Sequence, residues 1–204
     1  MKKIILSAAL LMAVGFSASA QEDIKFGVKA GVNFATFGGD IEDADSRTGF
    51  HAGVVAEFKL SENFSIQPEL LYSQMGAKFK DSGSFGGFSY SYEQTSKFDY
   101  LSLPILAKYY VLEGLSIEAG PQVGYLLSAK NEVKGDSEDV LASGDVKDGS
   151  KSVDFGVAGG LAYDLPIGVF FQARYYAGLS NVNDNDGDLD VKNSALQISV
   201  GYKF

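Results

Sequence analysis

The chain has 204 residues with a formal net charge of −9, and it contains 24 glycines, four prolines and no cysteine. The acidic balance argues against a nucleic-acid partner, and the missing cysteine removes disulfides and thiol chemistry. Glycines spread through every segment argue against a helical fold, because each costs about 1 kcal/mol inside a helix.

Lys2 and Lys3 precede an apolar run from Ile4 to Phe16, which Ala18-Ser19-Ala20 follow. Basic, apolar and small residues in that order predict a cleaved secretory signal peptide over 1–20 and a single domain over 21–204. The run is too short to span a bilayer as a helix, and no other stretch approaches the ~18 apolar residues required. Gln21 stands where a lipoprotein would have Cys.

From Ile24 to Ala35 the chain alternates with period two. Ile24, Phe26, Val28, Ala30, Val32 and Phe34 share one face, and Lys25, Gly27, Lys29, Gly31 and Asn33 share the other. The pattern returns in a second strand, Gly49 to Leu60, with Phe50, Val54 and Phe58 on the apolar face. Ser61-Glu62-Asn63 turns into a third, which shows Phe64, Ile66, Pro68, Leu70 and Tyr72. A fourth runs from Asp99 to Leu112, and Glu113-Gly114 turns it into a fifth that begins at Leu115. The sixth is Val153 to Leu165, Pro166-Ile167-Gly168 leads into the seventh, and the eighth is Asn193 to Phe204. No apolar face carries a charge.

Eight such segments, with lipid-compatible residues on one face and small or polar ones on the other, predict an all-β fold. It is an eight-stranded antiparallel up-and-down transmembrane β-barrel. Connections alternate between short turns and long loops, the long ones being Thr36 to Thr48, Lys80 to Phe98, Lys130 to Ser152 and Asn181 to Lys192. That asymmetry predicts four extracellular loops and two periplasmic termini. Composition predicts a mobile loop over Ser82 to Ser91. Pro68, Pro104 and Pro121, inside strands, predict local breaks in the hydrogen-bond ladder.

Inward positions collect Lys29, Glu57, Glu69, Lys108, Glu118, Asp154 and Arg174, with Gln67, Gln122, Gln172, Gln197, Tyr110 and Tyr176. An eight-stranded barrel is wide enough for its own side chains, so these are expected to fill the lumen as a charge network, with a solute or proton path as the alternative. Glu57, Glu69, Lys108, Glu118 and Arg174 are expected at comparable depth. His51, the one histidine, faces inward near the outer end and is either a lumen residue or half of a lipid-hydrolysing Ser-His pair whose serine the sequence does not single out. In the last loop Asp184, Asp186 and Asp188 resemble a calcium loop. Placing Gly187 at its sixth position puts Val182 at the first ligand position and Asn193 at the last, so these are weak metal candidates in a solvated acidic loop. No cofactor is implied. Other long loops are acidic as well and are repelled by lipopolysaccharide unless divalent ions bridge.

The last strand, with Tyr202 and Phe204, resembles the C-terminal signal that the barrel-assembly machinery reads in bacterial outer-membrane proteins. Phe26-Gly27-Val28-Lys29-Ala30-Gly31-Val32-Asn33-Phe34, Ile66-Gln67-Pro68-Glu69-Leu70-Leu71-Tyr72-Ser73, Tyr100-Leu101-Ser102-Leu103-Pro104-Ile105 and Ala119-Gly120-Pro121-Gln122-Val123-Gly124 resemble the PorT-family outer-membrane β-barrels common in Bacteroidota. The resemblance covers the whole mature chain. It implies a fold and an address in the outer membrane, and no catalytic residues. The family's founding member is associated with the type IX secretion and gliding apparatus. Three roles follow: a non-enzymatic structural or surface-interaction barrel, an accessory of a secretion machine, and a narrow channel or lipid-modifying enzyme. The partners expected are outer-membrane lipid and lipopolysaccharide, the assembly machinery, and a secretion-system or extracellular protein, with the barrel itself a monomer.

Overall fold

The computed structural model describes residues 24–41, 44–85, 88–135, 140–184 and 189–204, with the backbone alone at 83–85 and 88–90. The signal peptide expected over 1–20 lies outside these residues. Nine antiparallel strands are present among them: β1 (Ile24–Gly39), β2 (Asp45–Ser61), β3 (Phe64–Phe85), β4 (Phe88–Tyr110), β5 (Leu115–Lys134), β6 (Val140–Asp145), β7 (Val153–Asp164), β8 (Val169–Gly178) and β9 (Val191–Lys203). Eight of them form a ring in the order β4-β3-β2-β1-β9-β8-β7-β5, closed by pairing of β4 with β5. These are the eight strands predicted from alternation. The first and last meet from Gly27 opposite Lys203 to Gly39 opposite Val191.

Alternation decides which side of the wall each residue takes. Phe26, Ile117 and Phe171 are 46, 51 and 51 % exposed on the outside, while Lys29, Glu118 and Gln172 are buried inside. Along β9 the outward residues are Leu196, Ile198, Val200 and Tyr202, and Lys203 turns in. An apolar surface of this extent needs lipid against it.

Strands run further than their apolar periodicity. Beyond Leu71 opposite Ser102, β3 and β4 stay paired out to Phe85 opposite Phe88, so Ser82–Phe85 and Phe88–Ser91 are paired strand and not the mobile loop that composition suggests. Past the membrane neither face must be apolar, so the period-two signal disappears while backbone pairing continues. Cross-strand contacts hold the extension: Lys78 to Glu93 at 3.1 Å, and Tyr92 donating to Asp81 at 3.0 Å. β5 runs out to Lys134 and there pairs with β6, a strand outside the ring. A four-stranded sheet, β3-β4-β5-β6, therefore stands beyond the long-loop rim.

The prolines interrupt the ladder as their missing N–H requires. Pairing of β3 with β4 stops at Pro68 opposite Ile105 and resumes at Leu71 opposite Ser102. Between β4 and β5 it stops at Pro104 opposite Gln122 and resumes at Ala107 opposite Ala119. Gly76, with φ +121°, is required where it stands, because a Cβ there would lie 2.0 Å from the Ser96 carbonyl oxygen. Elsewhere glycine makes room in the lumen: a Cβ on Gly201 would sit 2.3 Å from the Phe170 ring.

The interior has two characters. Toward the long-loop end it is an apolar cluster that includes Phe37, Met75, Phe98, Leu126 and Val182. Toward the short turns it is polar and charged.

Candidate functional site

The charged interior is organised as a closed circuit. Arg174 on β8 holds Glu69 on β3 through two hydrogen bonds of 2.8 and 3.1 Å. Its Nε donates to Glu118 on β5 at 3.0 Å. The second Glu118 oxygen accepts from Gln172 at 2.7 Å, Gln172 accepts from Lys29 at 2.6 Å, and Lys29 closes the loop on Glu69 at 2.8 Å. Lys29, Glu69, Glu118 and Arg174 are each 3 % exposed or less. Two cations meet two carboxylates, so the desolvation of each charge is offset by a near neighbour and the set is neutral. Gln67 adds a bond to Glu69 at 2.7 Å.

A second tier lies nearer the short turns. Lys203 bridges Glu57 and Asp164, the latter at 2.5 Å, and Lys108 lies 3.1 Å from Asp164 and 3.7 Å from Glu57. The Tyr110 hydroxyl donates into the same pair of carboxylates, and Ser65 donates to Glu57 at 2.6 Å. The Lys203 ammonium also sits 4.8 Å from the centre of the Phe170 ring. This tier is again two cations against two anions. A mouth of about 620 Å³ at the short-turn end opens onto it.

Sequence spacing places Glu57, Glu69, Lys108, Glu118 and Arg174 at one depth, and the structure divides them between these tiers. Lys108 and Glu118 are register partners, yet one side chain reaches toward the short turns and the other toward the middle. Tilted strands and long side chains separate residues that a flat count puts level. Asp154 joins neither tier. It accepts from Tyr176 at 3.0 Å, Ser180 at 2.6 Å and Asn193 at 3.0 Å, all neutral donors. Gln122 is buried with its Oε1 lacking a hydrogen bond. Lys203 and Asp164 were absent from the sequence-derived network. Both follow from the same alternation, inward beside Tyr202 and Tyr163, but they stand at strand ends where turn chemistry obscures the period.

His51 is fully buried between Asn33 Oδ1, 2.7 Å from Nδ1, and Ser199 Oγ, 2.7 Å from Nε2. An amide oxygen only accepts, which puts the ring proton on Nδ1 and leaves Nε2 to accept from the serine. The order Ser-His-Asn is that of a hydrolytic relay. Ser199 is only 4 % exposed, however, and the three side chains are packed inside the wall with Ser73 and Gln197 bonded to Asn33. Asp184 is exposed, and its backbone N–H donates to Gly149. Asp186 and Asp188 lie outside the described residues. Among the described residues no group of three or more His, Cys, Asp or Glu could hold a metal ion.

Solved structures of small barrels resemble the chain. Ail, the attachment invasion locus protein of Yersinia pestis, superposes with a TM-score of 0.53 at 14 % identity, covering 90 % of this chain and all of Ail. Ail in complex with the heparin analogue sucrose octasulfate gives 0.52 at 14 % identity, over 89 % and 99 % of the two chains. Neisserial surface protein A gives 0.45 at 16 % identity, over 88 % and 97 %. At such identities the likeness to Ail shows the fold alone. No curated protein matches the chain. The profile described as "Outer membrane protein beta-barrel domain" matches residues 18–184. The alternating wall, the ring of eight strands and this match together establish that the chain belongs to the outer membrane protein beta-barrel domain family and is a protein of the outer membrane.

Proposed function

We propose that the chain is a non-enzymatic, non-conducting barrel whose specific work is done at its long-loop end, which faces the outside of the cell. The observation that carries this reading is the closed circuit through Lys29, Glu69, Arg174, Glu118 and Gln172, which crosses the lumen from wall to wall. A solute would have to break several desolvated, charge-assisted bonds to pass. The enclosure of Ser199 and His51 supports a structural role for that pair over hydrolysis. Ile24 and Phe204 lie at the short-turn end, which supports periplasmic termini and a leader over 1–20. Tyr202 and Phe204, with rings 5.8 Å apart on the lipid face, suit the C-terminal assembly signal. The sheet β3-β4-β5-β6 is the natural surface for an extracellular partner, since contacts concentrate on projections held by a rigid scaffold. PorT-family membership fits the strand motifs.

Purified, refolded barrel in planar lipid bilayers tests the proposal. The expected record has no unitary steps of general-porin size. Such steps, abolished by a wall-disrupting variant, would overturn it.

A further inference from the structure

Above the circuit the lumen is not filled to its rim. A cavity of about 430 Å³ lies at the long-loop end, with Phe37 and Phe98 as walls and Val146 and Val182 as roof. Phe37 meets Phe98 edge-on at 5.7 Å, and Phe98 stacks on Tyr100 at 6.4 Å, so the aromatic walls are fixed by their neighbours. The roof comes from two separate connections, joined through their backbones. Ser150 bridges Asn183, Lys151 N donates to the Val182 carbonyl at 2.9 Å, and Asp184 N donates to the Gly149 carbonyl at 3.1 Å. Charged residues make up 21 % of the chain and crowd these connections, yet among the described residues none lines the cavity. The polar side chains on the lining are neutral: Ser96, Asn131, Ser150 and Asn183. Ser150 Oγ donates to the Val146 carbonyl at 2.9 Å, and Ser96 Oγ donates to Asn131 Oδ1 at 2.8 Å, which leaves the Asn131 N–H groups as that amide's free capacity.

We infer that this cavity is a binding site for a small, neutral, mainly apolar molecule, a ring or branched hydrocarbon bearing one hydrogen-bond acceptor that meets Asn131. Its volume falls in the range of ordinary ligand pockets, and apolar walls with a few placed, neutral polar groups are the usual means of holding such a molecule. A charged ligand finds no counter-ion among the described lining residues, which favours a neutral one. Entry is from the long-loop end. The site is independent of the lumen circuit and stands whether or not the barrel conducts.

The test uses the full barrel in lipid nanodiscs, with its valine methyl groups labelled for NMR, titrated with acetophenone as the neutral ring-and-carbonyl probe. The Val146 and Val182 methyl signals are expected to shift and saturate, while the lipid-facing Val123 and Val157 drift linearly as the probe partitions into the bilayer. Roof signals that only drift like Val123 and Val157 overturn the site. Val182→Phe, which fills the cavity, is expected to abolish saturation, and a folded variant that keeps it also overturns the site. Should that variant fail to fold, Asn131→Leu serves. It is expected to weaken acetophenone roughly five- to tenfold while leaving toluene, which has no acceptor, unchanged. Equal effects on both probes overturn the assigned hydrogen bond.

Discussion

Arg174 and Glu69 meet in the middle of the lumen although their strands, β8 and β3, are four apart in a ring of eight and stand on opposite walls. A guanidinium is suited to this span, since its fork satisfies both carboxylate oxygens at once. Arg174→Met leaves one cation, Lys29, against Glu69 and Glu118, and is expected to destabilise the barrel by about 3–5 kcal/mol. Adding Glu118→Gln restores neutrality and is expected to recover part of that loss. Urea unfolding of both variants in lipid vesicles measures the difference, and a double variant less stable than the single one would contradict the circuit.

The outer wall is tested by moving one charge across it. Ile198 faces lipid and Gln197, its neighbour, faces the lumen. Ile198→Arg is expected to cost about 2–4 kcal/mol if it lies near the bilayer midplane. The temperature at which the folded, fast-migrating gel band gives way to the unfolded one should fall accordingly.

Burial of the Ser199-His51-Asn33 row has a chemical consequence. A fluorophosphonate probe, which labels activated serines, is expected to leave the folded barrel unmodified. His51→Ala strands Ser199 and half of the Asn33 network, and is expected to cost about 1–3 kcal/mol of stability. Stoichiometric labelling of Ser199 in the folded state would instead favour hydrolysis.

The projecting sheet should be the acid-sensitive part of the molecule. A hydrogen bond from Lys78 lowers the Glu93 carboxyl below its ordinary value of 4.5, and one from Lys97 does the same for Glu132. A depressed carboxyl contributes stability that is complete above its unfolded value and is lost as pH falls through the lowered folded value. Both pairs are partly exposed, so the contribution is small and screened by salt. Amide hydrogen exchange at 93–97 and 130–134 is therefore expected to lose protection below about pH 4.5, before the ring strands do. Uniform loss over ring and sheet would contradict this.

The ring was legible because lipid enforces a strict rule: residues that face it, such as Phe26, Ile117, Phe171 and Tyr202, had to be apolar, and the period of two survives in the letters. The sheet beyond the rim was not legible, since Asp81, Tyr92 and Glu93 pair through backbone and side chains with no apolar face to mark them. Inward charges could be named from alternation but not connected. Which cation meets which carboxylate depends on tilt and on contacts between strands far apart in sequence, as Lys108 and Glu118 illustrate by turning away from each other. The roof over the cavity was equally hidden, because Val146 and Val182 are single valines in polar connections with no period around them.

The meeting of Arg174 with Glu69 also bears on how the chain is assembled. Neither residue can find the other until strands from opposite sides of the ring face each other, so the circuit forms only once the sheet has curled shut. A strand inserted one residue out of step would turn its whole inner face to hydrocarbon and carry Arg174 or Glu69 out with it. Such a product would hold a bare charge in lipid and an orphan inside. The buried ions thus widen the energy gap between the correct closure and closures one residue out of step, a gap that backbone pairing alone would leave small.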